Sequence, residues 1–251
     1  MPDYPALAKE TRKKVLAMVF KAQTSHIASN FSVIDIASVL YENLGEKDEV
    51  VWSKGWAAAT IYYFLAKQGK IPKEDLEKFG EAPYIGLAET TVPGVLCSGG
   101  AMGHGLPIAV GMAIGKKRAR EEGIIYCVMS DGEMQEGTTW ESALIAGHNK
   151  PNNLVVLIDY NKWCAMGRTN EVANVEPFAD KWQAFGFDTQ RIDGHNYQEI
   201  ERALLKKSDK PKAIICDTVK GKGVSFFEDH LLFHYKYVEK DEYEKAMAEL
   251  A

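Results

Sequence analysis

Apolar positions recur at helical spacing over residues 6–22, where Val15, Leu16, Val19 and Phe20 share one side. Ser32 to Asp35 reads as a capping box opening a second helix, which carries Ile34, Ala37, Val39 and Leu40 inward. An Ala- and Tyr-rich helix is expected over 56–68, stopping at Gly69, then a short one over 73–79 with Pro72 at its start. Residues 80–102 are irregular and rich in Gly and Pro, and irregular loops of that length are usually functional or disordered. Further helices are expected over 104–121, over 139–148 behind a Thr138–Glu141 capping box, near 177–185, and over 197–206 capped by Asn196 with Glu199. Between them strands are expected at 124–129, 154–159, 187–192 and 212–218, with apolar runs at 124–129 and 154–158; 187–192 ends in the turn Asp193-Gly194, and a last charged helix closes the tail. Strands alternating with helices predict an α/β fold: a mostly parallel sheet with helices on both faces.

The composition narrows this picture. The chain has 251 residues, 46% of them hydrophobic, enough for one α/β domain over 1–251 with a C-terminal tail at 220–251. The net charge is −5, and the absence of a long basic block argues against a nucleic-acid partner. Cys97, Cys127, Cys164 and Cys216 are scattered, as expected of reduced thiols rather than a disulfide or zinc framework. Met1 to Lys14 is polar, without the apolar stretch of a signal peptide, and no apolar run approaches the ~20 residues of a membrane span. The expectation is a cytoplasmic protein with no membrane partner.

Candidate chemistry lies where two buried strands end. Ile124 to Met129 leads into Ser130-Asp131-Gly132-Glu133, and Leu154 to Ile158 leads into Asp159-Tyr160-Asn161. In a parallel sheet the C-terminal strand edge is where ligands bind. The carboxylate of Asp131 and the carboxamide oxygen of Asn161 suit a hard cation such as Mg²⁺, which would in turn hold a diphosphate. Gly132 lets backbone approach the phosphate.

Asp131-Gly132 with Asn161 resembles the thiamine diphosphate motif of transketolases. Glu133-Met134-Gln135-Glu136-Gly137, Trp140-Glu141, Gly99 to Leu106, Ser53-Lys54-Gly55, Ala179 to Trp182 and Val219 to Gly223 are similar to transketolase segments in the same order. The resemblance implies thiamine diphosphate and Mg²⁺ as cofactors and the thiamine diphosphate-binding (PP-domain) fold. Asp131, the side-chain oxygen of Asn161 and the carbonyl of Trp163 would be metal ligands. Gly132, Glu133, the carbonyl of Gly100, Met102 beneath the cofactor and Trp56 would contact the cofactor. His26 and His234 would face substrate, and Glu136 would link two sites across an interface. Lys220 and Lys222 would either attract phosphate or solvate a loop.

The resemblance covers residues 10–250, the diphosphate-binding half of a transketolase. The glutamate that activates the cofactor's aminopyrimidine belongs, in that family, to a pyrimidine-binding domain that this chain is too short to contain. The implied protein is the N-terminal subunit of a split transketolase. It would be active only with a C-terminal pyrimidine-domain subunit, most simply as an α₂β₂ heterotetramer, on sugar or sugar-phosphate substrates.

Three departures bear on specificity. The family's histidine after Ser-Lys-Gly is Trp56, which cannot accept a proton. A His-Pro segment is missing near 84–90, and Phe233-His234-Tyr235 stands for Trp-His-Gly. Ser29-Asn30 also resembles deoxyxylulose phosphate synthases, so condensation of an α-keto acid with an aldehyde is a second reading, and a non-catalytic scaffold is a third. A dinucleotide-binding dehydrogenase is poorly supported, because the glycines do not follow a first strand as Gly-x-Gly-x-x-Gly.

Overall fold

Four apolar segments and one half-exposed one assemble into a five-stranded, wholly parallel sheet. The computed structural model describes residues 2–251. The sheet strands are β1 (Glu49–Trp52), β2 (Ile125–Ser130), β3 (Leu154–Tyr160), β6 (Asp188–Asp193) and β7 (Lys212–Asp217), in the order β1-β2-β3-β7-β6. A two-residue ladder of β4 (Trp163–Cys164) with β5 (Gly167–Arg168) forms a small hairpin after β3.

Successive strand residues enter opposite cores. Tyr126, Val128, Val155, Leu157, Ile214 and Cys216 join one apolar cluster, while Cys127, Met129, Val156, Ile158, Ala213 and Ile215 join the other. This period of two, with both faces covered, is why these strands read as unbroken apolar runs. The first cluster holds α1 (Tyr4–Ala22), α2 (Ile27–Glu42), α3 (Ala58–Lys67), α8 (Tyr197–Leu205), and parts of α9 (Leu232–Tyr235) and α10 (Lys240–Glu249). The second holds α4 (Gly105–Ala119), α5 (Gly137–Asn149) and α7 (Phe178–Ala184); the single turn α6 (Thr169–Val172) follows the hairpin. Helix α2 is buried from Ile27 through Leu40, which identifies it as a core helix rather than an amphipathic cover.

The structure corrects several expectations. Helix α2 begins at Ile27, so Ser32 lies in its interior, where its hydroxyl donates to Asp159 at 2.6 Å instead of capping. Helix α5 begins at Gly137 with Glu136 as N-cap, and the Thr139 hydroxyl donates to the Glu133 carbonyl (2.7 Å), so the Thr138–Glu141 box is not made. A genuine capping box joins Ser130 and Glu133. Strand β1, four residues behind charged Lys47-Asp48, has no counterpart among the expected strands. Residues 80–102 form no regular element, yet they are packed: Tyr84, Ala88, Val92, Val95 and Cys97 are buried, and Ala88 N–H donates to the Gly55 carbonyl. The four cysteines are free and buried. Among the described residues, no helix is long and apolar enough to cross a membrane.

Candidate active site

The C-terminal ends of β1, β2, β3 and β7 converge on a half-open cavity of about 380 Å³. Ser53 and Lys54 after β1, Asn161 after β3 and Lys220 shortly after β7 line it, while Asp131 after β2 is fully buried between the lining residues Ser130 and Gly132. A larger groove of about 560 Å³ lies among α1, α3 and α10, but its charged groups are surface Lys and Glu side chains and it holds no buried ionisable cluster.

At the cavity floor Asp159 is fully buried and ion-paired with Lys54. It also accepts from the hydroxyls of Ser32 and Thr218. Burial alone would raise this carboxyl, but the Lys54 ammonium and the hydroxyl bonds hold it below its ordinary range. Lys220 is equally buried, with its ammonium donating to Ser29 Oγ at 3.0 Å. Burial and the neighbouring Lys54 charge lower it to about 7, against the pull of Asp131 and Asp159.

Asp131 is the group left wanting. Its Oδ2 accepts from the Thr169 hydroxyl (2.8 Å), while Oδ1, fully buried, has no partner. Burial raises its pKa to about 7; Asp159 adds to the rise, and Thr169, Lys54 and Lys220 oppose it. A buried carboxylate oxygen with no hydrogen-bond donor is a group that a cation would satisfy. Asn161 points its Nδ2 toward Asp159 Oδ2 (3.4 Å) and its Oδ1 toward Trp163 N–H (3.1 Å). The oxygen keeps a free lone pair. Trp163 lines the cavity, braced by its indole bond to Asp229 (2.8 Å) and by the Arg168 guanidinium 3.9 Å over its ring. Among the described residues no group of three His, Cys, Asp or Glu side chains is placed to hold a metal. A cation here would need carboxamide, carbonyl and ligand oxygens besides Asp131. That is magnesium's kind of shell, and the donor set fits it.

Glu133 lines the cavity, but its carboxylate is turned to internal work. One oxygen accepts from Ser130 N–H (2.9 Å), the other from Gly103 N–H (3.2 Å) and the Ser53 hydroxyl. It thereby ties the glycine loop to the β1 end. That loop needs its glycines: Gly100 has φ +101°, and a Cβ on Gly103 would sit 2.6 Å from Thr138 Oγ1. A side chain on Gly132 would press on Cys164.

The mouth is aromatic. His26 stands ahead of α2 with φ +70°, its Nδ1 2.7 Å from Ser25 Oγ. Its ring stacks on Trp56 (centroids 4.4 Å, 11°) and lies 4.6 Å from the ring of His234. Burial first, then the Lys220 and Lys54 charges, lowers His26 to about 4; the same causes, with His26 added, push His234 lower still. Both imidazoles are neutral at neutral pH and available as acceptors. Trp56 and Met102, 40% and 41% exposed, flank the opening.

The structure thus brings together Gly100, Met102, Gly132, Glu133, Asn161, Trp163, Trp56, His26 and His234 around the cavity, with Asp131 fully buried between the lining residues Ser130 and Gly132. It leaves Glu136 outside the cavity, half-buried beside Gly103, with no partner for its carboxylate among the described residues. His104 is the N-cap of α4 but makes no capping bond, and Lys222 is a partly exposed residue near Glu228. Sequence pattern gives no role to Lys54, Asp159, Ser29 or Thr169. The polar ends of two strands, Ser53-Lys54 and Asp159, are the available signal.

A parallel α/β domain with an acid, a carboxamide and two buried lysines at its strand ends defines a diphosphate-binding class. The family description "Transketolase, thiamine diphosphate binding domain" matches residues 5–250. Over 259 residues the chain is 32% identical to an apulose-4-phosphate transketolase subunit of Phocaeicola vulgatus, covering 97% of this chain and 92% of that protein. Over 266 residues it is 33% identical to 6-deoxy-6-sulfo-D-fructose transketolase subunit SqwG of a Clostridium species, covering 99% and 96%. The crystal structure of Campylobacter jejuni transketolase superposes with a TM-score of 0.92 at 30% identity, covering all of this chain and 43% of that one. The chain belongs to the transketolase family. Transketolases are transferases, and this chain corresponds to their N-terminal, cofactor-binding part.

Proposed function

We propose that this chain is the diphosphate-binding subunit of a two-subunit transketolase that transfers a two-carbon ketol unit from a ketose donor to an aldehyde acceptor. The observation that carries the cofactor assignment is the orphaned Asp131 Oδ1, fully buried on a residue between the cavity-lining Ser130 and Gly132. Asp131, Asn161 Oδ1 and the Trp163 carbonyl would hold Mg²⁺. Gly132, Lys220 and Ser29 would meet the diphosphate, while the Gly100 carbonyl, Met102 and Trp56 would contact the remainder of the cofactor. Thiamine diphosphate, when bound, supplies the carbanion chemistry, and the protein supplies position and charge.

The remaining steps belong to this chain's own groups. Lys54 neutralises Asp159, so the cavity floor stays charge-balanced beneath the metal site. His26 and His234, neutral and adjacent, accept and return protons at the donor's hydroxyls as the carbon–carbon bond breaks and re-forms.

A second, partner chain is part of the proposal. The relatives named as subunits match this chain along 92% and 96% of their own length, whereas it spans 43% of the single-chain transketolase. The open mouth with exposed Trp56, Met102 and Tyr235 is a surface that a pyrimidine-domain subunit would cover, in an α₂β₂ assembly in the cytoplasm. The substrates belong to the sugar or sugar-phosphate class that the named relatives suggest. The test is a two-carbon transfer assay over ketose and ketose-phosphate donors, with the chain alone and with its co-purified partner. Activity is expected only with the partner and only with Mg²⁺; turnover by the chain alone contradicts the proposal.

One observation favours a second reading. Trp56 stacks on His26 where the family has a second histidine, so one proton-handling group is missing from the donor site. An α-keto acid donor needs less hydroxyl handling, and its use is read in the same assay as CO₂ release. Under the leading proposal, Trp56→His is expected to shift preference toward ordinary ketose phosphates. An unchanged donor profile would show that Trp56 does not set specificity.

A further inference from the structure

The turn after β6 carries His195 into the fold, with 15% of its side chain exposed. Gly194 makes this possible: its N–H donates to the Asp217 carbonyl at 2.8 Å, and a Cβ there would lie 2.5 Å from Thr218 Cγ2. Both nitrogens of the ring are engaged. Nε2 lies 2.8 Å from Val219 N, and Nδ1 lies 2.7 Å from Asp35 Oδ2. A backbone N–H can only donate, so Nε2 is the unprotonated acceptor and Nδ1–H donates to Asp35.

Asp35, buried in α2, also receives the Arg12 guanidinium through two bonds (2.9 and 2.7 Å) and the Tyr197 hydroxyl (2.9 Å). Arg12 Nε in turn donates to the Lys222 carbonyl at 2.8 Å, and a side chain on Gly223 would press on Arg12 Cδ. One buried carboxylate therefore anchors two clasps on the same segment, His195 at Val219 and Arg12 at Lys222. Between them stands Lys220.

Lys220 needs such a clasp. Its ammonium is buried, and among the described residues no carboxylate lies within ion-pairing distance of it. An unpaired buried ammonium is costly, and a long lysine stem on a free loop would carry its charge out to water. The backbone has to hold it where it is.

We propose that His195 is a positioning residue that fixes residues 219–223 through the Val219 N–H, so that the Lys220 ammonium stands in the cavity ready for an anionic ligand group. The identity of that anion as a diphosphate rests on the function proposed above; the placement of Lys220 does not.

Two variants separate the halves of the ring. His195→Gln can still offer an acceptor at the Nε2 position but loses the donor to Asp35. His195→Asn can still donate to Asp35 but leaves Val219 N–H without an acceptor. The bond to the Asp35 carboxylate is the stronger of the two, so a purely structural role predicts an effect in His195→Asn no larger than in His195→Gln. Labelling of Lys220 by an amine-acylating reagent, read by peptide mass in the full chain, is expected to rise roughly tenfold in His195→Asn and stay near wild type in His195→Gln; titration with thiamine diphosphate and Mg²⁺ should show a parallel affinity loss of roughly tenfold. Continued protection of Lys220 in His195→Asn, or equal exposure in both variants, overturns the proposal. In the unaltered chain the Val219 amide is expected to exchange slowly with deuterium, and fast exchange overturns it without any variant. If labelling follows expectation while wild type binds no thiamine diphosphate, His195 keeps its role and the cofactor assignment falls.

Discussion

Asp131→Ala is expected to remove the Mg²⁺-dependent part of thiamine diphosphate binding, weakening affinity at least about a hundredfold, or ~2.8 kcal/mol. Isothermal titration with and without Mg²⁺ measures it directly, and undiminished affinity would remove Asp131 from the metal site. The same residue ties binding to pH. Its folded pKa of about 7 lies above the ~3.9 of an unfolded aspartate, so the folded chain binds the extra proton between those values. Stability from this group is therefore greatest below pH ~4 and is lost as pH rises toward 7, where an unpaired buried carboxylate forms. Mg²⁺ affinity runs the other way, rising with pH up to about 7 as the competing proton leaves. Asp131→Asn should flatten both trends. A site tuned for a cation costs stability without one, so the metal-free Asn variant is expected to be no less stable than wild type near neutral pH.

The second large effect concerns the floor. Asp159→Ala leaves buried Lys54 beside Lys220 without its ion-pair partner and is expected to cost ~3–5 kcal/mol of folding stability. Replacing both partners by apolar residues, Lys54→Met with Asp159→Leu, should cost clearly less than Asp159→Ala alone, because no charge is then left unpaired. Urea unfolding of wild type and the two variants decides it. A loss below about 1 kcal/mol for Asp159→Ala would show that water reaches this ion pair.

Strands β2 and β3 are legible in the sequence because both faces of the sheet are covered, which turns each strand into a continuous apolar run with a polar end. Asp131 and Asn161 follow directly from those ends. Strand β1 is hidden by its length: four residues carry too little periodicity. Ser32 misleads because its capping pattern is local, whereas the hydroxyl is claimed by Asp159, 127 positions away. The same distance problem conceals His195, whose position after Asp193-Gly194 reads as a turn residue although its partner Asp35 lies 160 positions earlier. Glu133, expected as a cofactor contact, lines the cavity, and only the packed chain shows that its carboxylate also bridges the ends of β1 and β2 to the glycine loop. Local pattern locates the strand-end edge, and only the packed chain shows which polar groups face the cavity and which hold others in place.

The most direct test of a cofactor-binding subunit that works with a partner is native mass spectrometry of the tagged chain purified from its own host. The expected result is a heteromer with a second chain, thiamine diphosphate and Mg²⁺ retained. A homodimer that takes up neither cofactor when both are supplied would contradict it.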